Sequence, residues 1–544
     1  MKNTSASNLD TTRGLSCFFS HWRTDLSAGC LVFLIALPLC LGIAVASGFP
    51  PMAGIISAII GGLVVSRING SQLTITGPAA GLIVVIFSSV QSLGDGDMLA
   101  GYRYTLAAIV ISGLLQVALG YYKAGRLAAF FPASVVHGML AAIGIIIMTK
   151  QIPVMLGLQL DTPPTILASI LELLHAQAFF IPKIGIIAVL ALCLLIGWPN
   201  IKQPILRKLP APLLVIMLGI FLGYAFDLQH FQAEPLFNLP ANIHIDGPFL
   251  VSIPDSLQAS ITYPDFAKLA SLNFWQSVIS ITLIGSLETL LSTTAVDKLD
   301  PQKRYADLNR DLRAIGIGNT LSGMIGGLPM IAEIVRSSAN IEYGGQSSWA
   351  NFFHGAFLLV FVLLFPHIID SIPLASLAVL LVYTGFRLAS PQTFAKTMDL
   401  GKEQLAIFVI TIISILISNL LVGVLLGILA KLVIHLLRGV SLKNLLCISY
   451  NIEQAPGNVY RIKIDGSAIF SNFIALKSQL ADLPVGKTII FDLSAAYLID
   501  HTVMDFIHAY RQDYIDQGGD CEIQGLSQHT SAAEHELAAR IKKL

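Results

Sequence analysis

The stretch Met330–Asn340 (MIAEIVRSSAN) puts Glu333, Arg336 and Ser337 on one short helical face inside an otherwise apolar chain. The Arg336 guanidinium is a planar fork of donors suited to the oxygens of carboxylate, bicarbonate or sulfate. The plainer readings are an arginine reaching for an interface or one paired with Glu333. A matching break occurs at Thr74–Gly81 (TITGPAAG), where a β-branched, extended stretch leads to Pro78, a residue suited to the first turn of a helix. The later break follows Gly326-Gly327-Leu328-Pro329. Charges and helix breaks at membrane depth are costly and mark transport pathways. Two half-helices entering from opposite sides would bring two N-termini together near mid-depth. Each would carry unpaired N–H groups and a partial positive charge, which together favour an anion. The candidate contacts are Thr76, Gly77, Pro78 and Ala79 on one side and Glu333, Ile334, Val335, Arg336 and Ser337 on the other.

Glu288 lies deep in an apolar run, with Ser292 four residues on and so on the same helical face. A carboxylate and a hydroxyl near backbone carbonyls could hold Na⁺ or a proton; the alternative is a structural, hydrogen-bonded glutamate. Glu333 reads either as the cap of its own half-helix or as a second coupling carboxylate beside Glu288. His137 and His354 sit among small and apolar residues and read as packing histidines. Gly486-Lys487-Thr488 imitates the end of a phosphate-binding loop, but Ala481 stands where its first glycine belongs and the stretch precedes its strand. No nucleophile–base pair or metal-ligand spacing stands out, so neither an enzyme nor a cofactor is expected.

The elements that must position these residues are membrane helices. The chain has 544 residues, 54% hydrophobic and 12% charged, with a mean hydropathy of +0.73. Soluble domains average about 25% charged residues. Lys+Arg and Asp+Glu both total 33, which points to neither nucleic acid nor an acidic partner. The six cysteines are scattered and show no disulfide framework. Residues 1–25 form a polar N-terminal segment ahead of an uncleaved first span.

Spans are expected near 26–47, 51–67, 101–120, 127–149, 179–198, 210–227, 272–294, 309–327, 349–368, 372–388, 403–419 and 421–438, with half-helices near 78–91 and 333–343. That makes fourteen segments, the broken ones third in each half of seven. Lys and Arg alternate with acidic or neutral loops: Arg67, Lys123, Arg126, Lys202, Arg207 and Lys208 fall on one side, Asp95, Asp97, Glu234, Asp246, Asp255 and Asp265 on the other. This pattern places both ends in the cytoplasm. Residues 163–176 read as an interfacial amphipathic helix. After 445, strand patterns at 459–465, 487–493 and 521–524 alternate with helical ones at 470–482 and 502–517, as in a small α/β domain over 445–544. A transmembrane domain over 26–440 precedes it.

These residues resemble the SulP family of inorganic anion transporters, bacterial relatives of prestin and pendrin. The resemblance runs from Leu37-Pro38 through Pro50-Pro51-Met52-Ala53-Gly54 and Thr76-Gly77-Pro78-Ala79. It continues through Glu288-Thr289-Leu290-Leu291-Ser292 with Asp297, Gly316-Ile317-Gly318-Asn319 and Arg336-Ser337-Ser338-Ala339-Asn340. The C-terminal part resembles a STAS domain at Asp492-Leu493-Ser494 and Ile499-Asp500-His501-Thr502. The resemblance implies an α-helical polytopic fold with a seven-plus-seven inverted repeat, core and gate regions, and elevator-like movement. It also implies a homodimer with STAS contacts, a cytoplasmic protein partner for the STAS domain, and residence in a bacterial inner membrane. Glu288 falls at the family's cation-coupling position, and Arg336 falls where animal relatives carry an anion-site arginine. Two departures stand out. Glu333 and Val335 replace small or hydroxyl residues, which favours protons over a borrowed Na⁺ site. Val503 replaces a glycine of soluble anti-sigma antagonists. Thr502 falls at their phosphorylated position, where a helix N-cap is the other reading.

The expectation is therefore a secondary transporter of bicarbonate or sulfate with Na⁺ or H⁺ symport. The rivals are a carrier of C4-dicarboxylates or nucleobases, and a membrane-anchored STAS signalling scaffold.

Overall fold

A chain this apolar must pair its backbone polar groups internally, and in its apolar part it does so mainly with helices. The computed structural model describes residues 15–125, 131–160, 181–201, 203, 209–231, 243–244, 249–254, 256–456, 459–480, 483–484 and 486–543. The stretch 163–176 lies outside them. The chain divides into two compact units, one of residues 1–125 and 143–387, the other of 126–142 and 388–544.

The first unit holds α1 (Leu15–Ala46), α2 (Pro51–Ile60, extended by a π-turn Gly61–Val65 and Ser66–Ile68), β1 (Ile75–Pro78), α3 (Ile83–Gly94, after a 3₁₀ turn Ala80–Leu82) and α4 (Met98–Tyr121). Then come most of α5 (Ala133–Leu156), β2 (Gln159–Leu160), α6 (Pro182–Gly197), α7 (Ala211–Ala225) and β3 (Ile243–His244), which pairs with β2. It closes with α8 (Leu272–Leu299), α9 (Leu308–Met324), β4 (Met330–Glu333), α10 (Ile334–Glu342), α11 (Trp349–Leu364) and α12 (Leu374–Leu388). The starts follow local chemistry. Asp97 accepts from the Leu99 and Ala100 N–H groups at 2.9 and 3.1 Å. Asp307 does the same for Asn309 and Arg310. Pro51 and Pro182 open α2 and α6.

Two sequence boundaries need correcting. α1 begins at Leu15, so part of the polar N-terminal segment is helical. α5 runs to Leu156 instead of ending near 149, which carries Lys150 and Gln151 inside a helix. Both helices extend past the apolar run because polar residues near a span end can face protein or headgroups without breaking the backbone ladder.

Leu41, Ile55, Ala191, Val215, Leu358 and Val379 belong to the main apolar core, built from α1, α2, α6, α7, α11 and α12. The Gly/Ser run of α9 lets it lie close against α4. A Cβ placed on Gly316 would stand 2.6 Å from the Gly113 carbonyl oxygen, so small residues set this contact.

The second unit contains the start of α5, α13 (Lys402–Ile417), α14 (Leu420–Leu437) and a seven-stranded mixed sheet. Its elements are β5 (Ser449–Ala455), β6 (Val459–Ala468), α15 (Ile474–Leu480), β7 (Thr488–Asp492), β8 (Ala496–Ile499), α16 (His501–Asp516), β9 (Asp520–Gln524), β10 (His529–Ser531) and β11 (Arg540–Lys542). β6 runs parallel to both β7 and β8, and β9 parallel to β7. Ile462, Phe491, Val503 and Ile507 fill the layer between sheet and helices.

Gly316→Val is expected to force α9 away from α4, at a cost of about 1–3 kcal/mol for overpacking. The thermal midpoint of the detergent-solubilised protein should fall. An unchanged midpoint would show that the two helices have room to spare.

Candidate functional site

The two breaks pair with each other. β1 and β4 form an antiparallel ribbon in the register Ile75↔Glu333, Thr76↔Ala332, Gly77↔Ile331 and Pro78↔Met330. Antiparallel strands leave from opposite ends, so α3 and α10 run away from the ribbon in opposite senses and both N-termini face back toward it. The backbone groups lost from the helices are thereby paired without water.

Side chains from α9, α10 and α11 brace the ribbon. The Asn351 amide on α11 donates to Thr76 Oγ1 at 3.0 Å. Asn340 Nδ2 donates to the Leu73 carbonyl at 3.0 Å. The Met330 N–H donates to Asn319 Oδ1 at 2.6 Å, while Asn319 Nδ2 donates to Gln116 Oε1 at 2.7 Å. Asp311 accepts from the Gly70 and Ser71 N–H groups and from Thr293 Oγ1, which fixes the loop leading into β1. Ser337 Oγ accepts from the Ile75 N–H at 2.8 Å and donates to the Glu333 carbonyl at 2.5 Å. The side chains of Thr76 and Ser337, both expected among the substrate contacts, are thus buried and engaged in holding the ribbon.

Arg336 is 1% exposed. Nη2 makes one long hydrogen bond, 3.4 Å, to the Pro78 carbonyl. Nε and Nη1 are buried without a hydrogen-bond partner. The guanidinium lies so close to Gly77 that a Cβ there would collide with Nη1. A glycine at this point of β1 is what allows a cation from the second half-helix to cross to the first. Cys40 and His354 lie within electrostatic range of it. His354 is fully buried and neither ring nitrogen has a partner, so it is not the satisfied packing histidine its surroundings suggest. Ile334 and Val335 are 40% and 44% exposed, so the first turn of α10 opens to one side.

The carboxylates gather at the start of the other half-helix. Glu288 is 6% exposed, and its Oε1 has no partner. It presses on Gly81, where any side chain would overlap it. Glu333 makes no cap on α10. Its carboxylate instead lies near the Ala80 N–H, at the entry to α3, and within electrostatic range of Glu288 and Arg336. Ser292 is half-buried and forms no hydrogen bond with Glu288. Among the described residues no cluster of three His, Cys, Asp or Glu could hold a metal.

The second unit carries an ionic cluster that residue spacing did not reveal. Lys431 on α14 and Asp500 before α16 are 1% and 0% exposed and 3.2 Å apart. His435 Nε2 lies 3.6 Å from the same carboxylate. Lys431 Nζ also donates to Thr502 Oγ1 at 3.1 Å and sits 5.0 Å over the Phe470 ring. Asp500 is the N-cap of α16, accepting from Val503 N–H at 2.8 Å, so Thr502 is not the cap. Burial alone would raise the Asp500 carboxyl, but Lys431, His435 and the Val503 N–H hold it below the usual carboxylate range. A lysine and a histidine four apart on the last span were the available signal.

A broken-helix site inside a bundle of apolar helices defines a membrane transporter. The sulfate permease family model matches residues 22–411, and the chain belongs to that family. It is 25% identical over 490 residues to the putative sulfate transporter YvdB of Bacillus subtilis, covering 88% of this chain and 87% of that one. It is 20% identical over 531 residues to the bicarbonate transporter BicA of a Picosynechococcus strain, covering 91% and 89%. Two solved structures establish the fold. The transmembrane domain of a cyanobacterial BicA aligns with a TM-score of 0.61 at 22% identity, over 76% of this chain and 98% of that one. The murine anion transporter Slc26a9 in its inward-facing state aligns with a TM-score of 0.66 at 14% identity, over 96% and 90%.

Removing one partner of a buried ion pair costs about 3–5 kcal/mol, and replacing both is far milder. Lys431→Met and Asp500→Asn should each destabilise the second unit, and Lys431→Met with Asp500→Leu should recover most of the loss. Intrinsic fluorescence unfolding reads this. Because the Asp500 pKa is depressed on folding, its contribution is present above about pH 4 and is lost as pH falls further. Additive losses in the double variant would show that the pair is not coupled.

Proposed function

We propose that this protein is a secondary active transporter of a small inorganic anion, bicarbonate or sulfate, coupled to a cation. The single observation that carries this reading is Arg336. It is a buried guanidinium with two unpartnered nitrogens, flanked by two half-helices whose positive ends face it. A planar oxygen-rich anion supplies the acceptors that these nitrogens lack. Relatives named as sulfate and bicarbonate transporters support the substrate class.

Glu288, with Glu333 beside it, is the coupling element in this reading. An anion entering between two carboxylates is repelled until a cation neutralises one of them, so loading of anion and cation becomes linked. Both carboxylates lie at the start of α3 and Ser292 is not engaged with them, which favours H⁺ over Na⁺. Alternating access moves the ribbon and its half-helices as one body past the remaining spans. The protein works as a homodimer in a bacterial inner membrane, with its N-terminus and STAS domain in the cytoplasm. Thr502 bears on regulation through its contact with Lys431.

Proteoliposomes with separately imposed pH and Na⁺ gradients test this. Labelled bicarbonate or sulfate should accumulate, and succinate and uracil should not compete. Arg336→Ala should raise the apparent KM at least tenfold, about 1.4 kcal/mol or more. Unchanged affinity would remove it from the site. Glu288→Gln should lose gradient-driven accumulation while keeping anion counterflow. Accumulation that persists would make Glu288 structural.

A further inference from the structure

Lys150 is a cation that neither the site nor the ion pairs account for. It lies on α5, six residues before the helix ends at Leu156. It is half-buried. Among the described residues its one polar interaction is with a ring: Nζ stands 3.2 Å from the centroid of Phe87 on α3. A cation over an aromatic face gains about 0.5–2 kcal/mol. At the bilayer centre a lysine costs about 2.5–3.5 kcal/mol on insertion scales, and less toward the span end where Lys150 stands. Among the described residues the ring is joined by no carboxylate. A lysine serving only to anchor the helix would turn toward the headgroups; this one turns onto α3.

The place matters as much as the charge. α3 is the half-helix that starts at the candidate anion site. Phe87 is seven residues beyond Ala80 in the sequence, about 10 Å farther along by helical rise. The loop charges put that end of α3 on the non-cytoplasmic side. The backbone of Gly48, just past α1, lies close to the same ring. A Cβ built there would come within 3.1 Å of Met98 Cε and 3.4 Å of Phe87 Cδ2. Phe87 thus fills the space outside the site, with Met98 and Gly48 on one flank and the Lys150 ammonium on its face.

Resting on the proposed anion transport and on that topology, we infer that Lys150 is an anion-receiving group on the outer access path. In this conformation it is parked on Phe87. When α3 and α5 part, it meets the incoming oxyanion before the anion passes to Arg336. The ligand class is a small inorganic oxyanion bound by a single point charge, weakly enough to release it inward.

Orientation-controlled proteoliposomes, assayed with labelled sulfate and labelled bicarbonate, test this. Lys150→Gln should raise the KM for anion offered at the outer face about tenfold, change Vmax less than twofold, and leave the inner-face KM as in the parent. Lys150→Arg should keep the parent values. In Lys150→Cys, a thiol reagent carrying a quaternary ammonium should restore the outer KM, and a sulfonate reagent should not. That rescue occurs within one folded sample, so misfolding cannot produce it. An equal change in KM at both faces, or no change, or rescue by both reagents, overturns the assignment. If the parent protein moves neither anion, the transport reading fails first and this inference falls with it. If the parent transports and only the asymmetry is missing, Lys150 alone is wrong.

Discussion

Everything at the centre of this protein depends on one constraint: interrupted backbone within a bilayer must find partners inside the protein. The β1–β4 ribbon meets it by pairing one interruption with the other. From that pairing follow the opposed directions of α3 and α10, the convergence of their positive ends, and the fixed distance between Gly77 and the base of α10. The braces from Asn351, Asn319, Asn340 and Ser337 then read as a single scaffold. Asn319 and Ser337 take the Met330 and Ile75 N–H groups that the ribbon's edges would otherwise leave bare.

The charges divide in a way the ribbon imposes. Arg336 rises from the second half-helix but reaches the first, across a glycine. Glu333 ends the second strand but its carboxylate lies near the N–H of Ala80 at the start of the first half-helix. Glu288 arrives from α8 at the same place because Gly81 has no side chain. One cation and two carboxylates therefore share a small volume around two helix starts. Under the proposed reading, this imbalance makes anion entry depend on a cation.

Much of this was legible in the chain. The breaks at Thr74–Gly81 and around Pro329 announce themselves through proline, glycine and β-branched residues in apolar surroundings, and Glu288 and Arg336 stand out as ions among hydrophobes. Pairing of the two breaks was not legible, because four-residue strands carry too little alternation to signal so distant a partner, as between Ile75 and Glu333. Thr76 and Ser337 looked like ligands because hydroxyls at a break serve either purpose; only their partners tell which. Glu333 read equally as a cap for its own helix or as a coupling carboxylate, since spacing cannot show a side chain crossing to a neighbour; it makes no cap. β5, β8, β10 and β11 escaped for a related reason: short or half-exposed strands lack a clear period. Lys431 and Asp500 are 69 residues apart in sequence, and only the fold joins them.

The π-turn at Gly61–Val65 sits where α2 passes the ribbon. Its first glycine backs onto the Thr76 carbonyl, and its second onto the backbone of Gly355. Each residue advances a helix by about 100°. A widened turn therefore acts as a phase adjuster between the portion of α2 that packs with α1 and the short portion that delivers the chain to Asn69. Shorten that turn by one residue and the helix regains regular pitch, but its exit swings by more than a quarter revolution. The extended stretch beyond would then emerge facing the wrong azimuth to meet its counterpart, so the mating of the two breaks is set partly by a spare residue upstream of both.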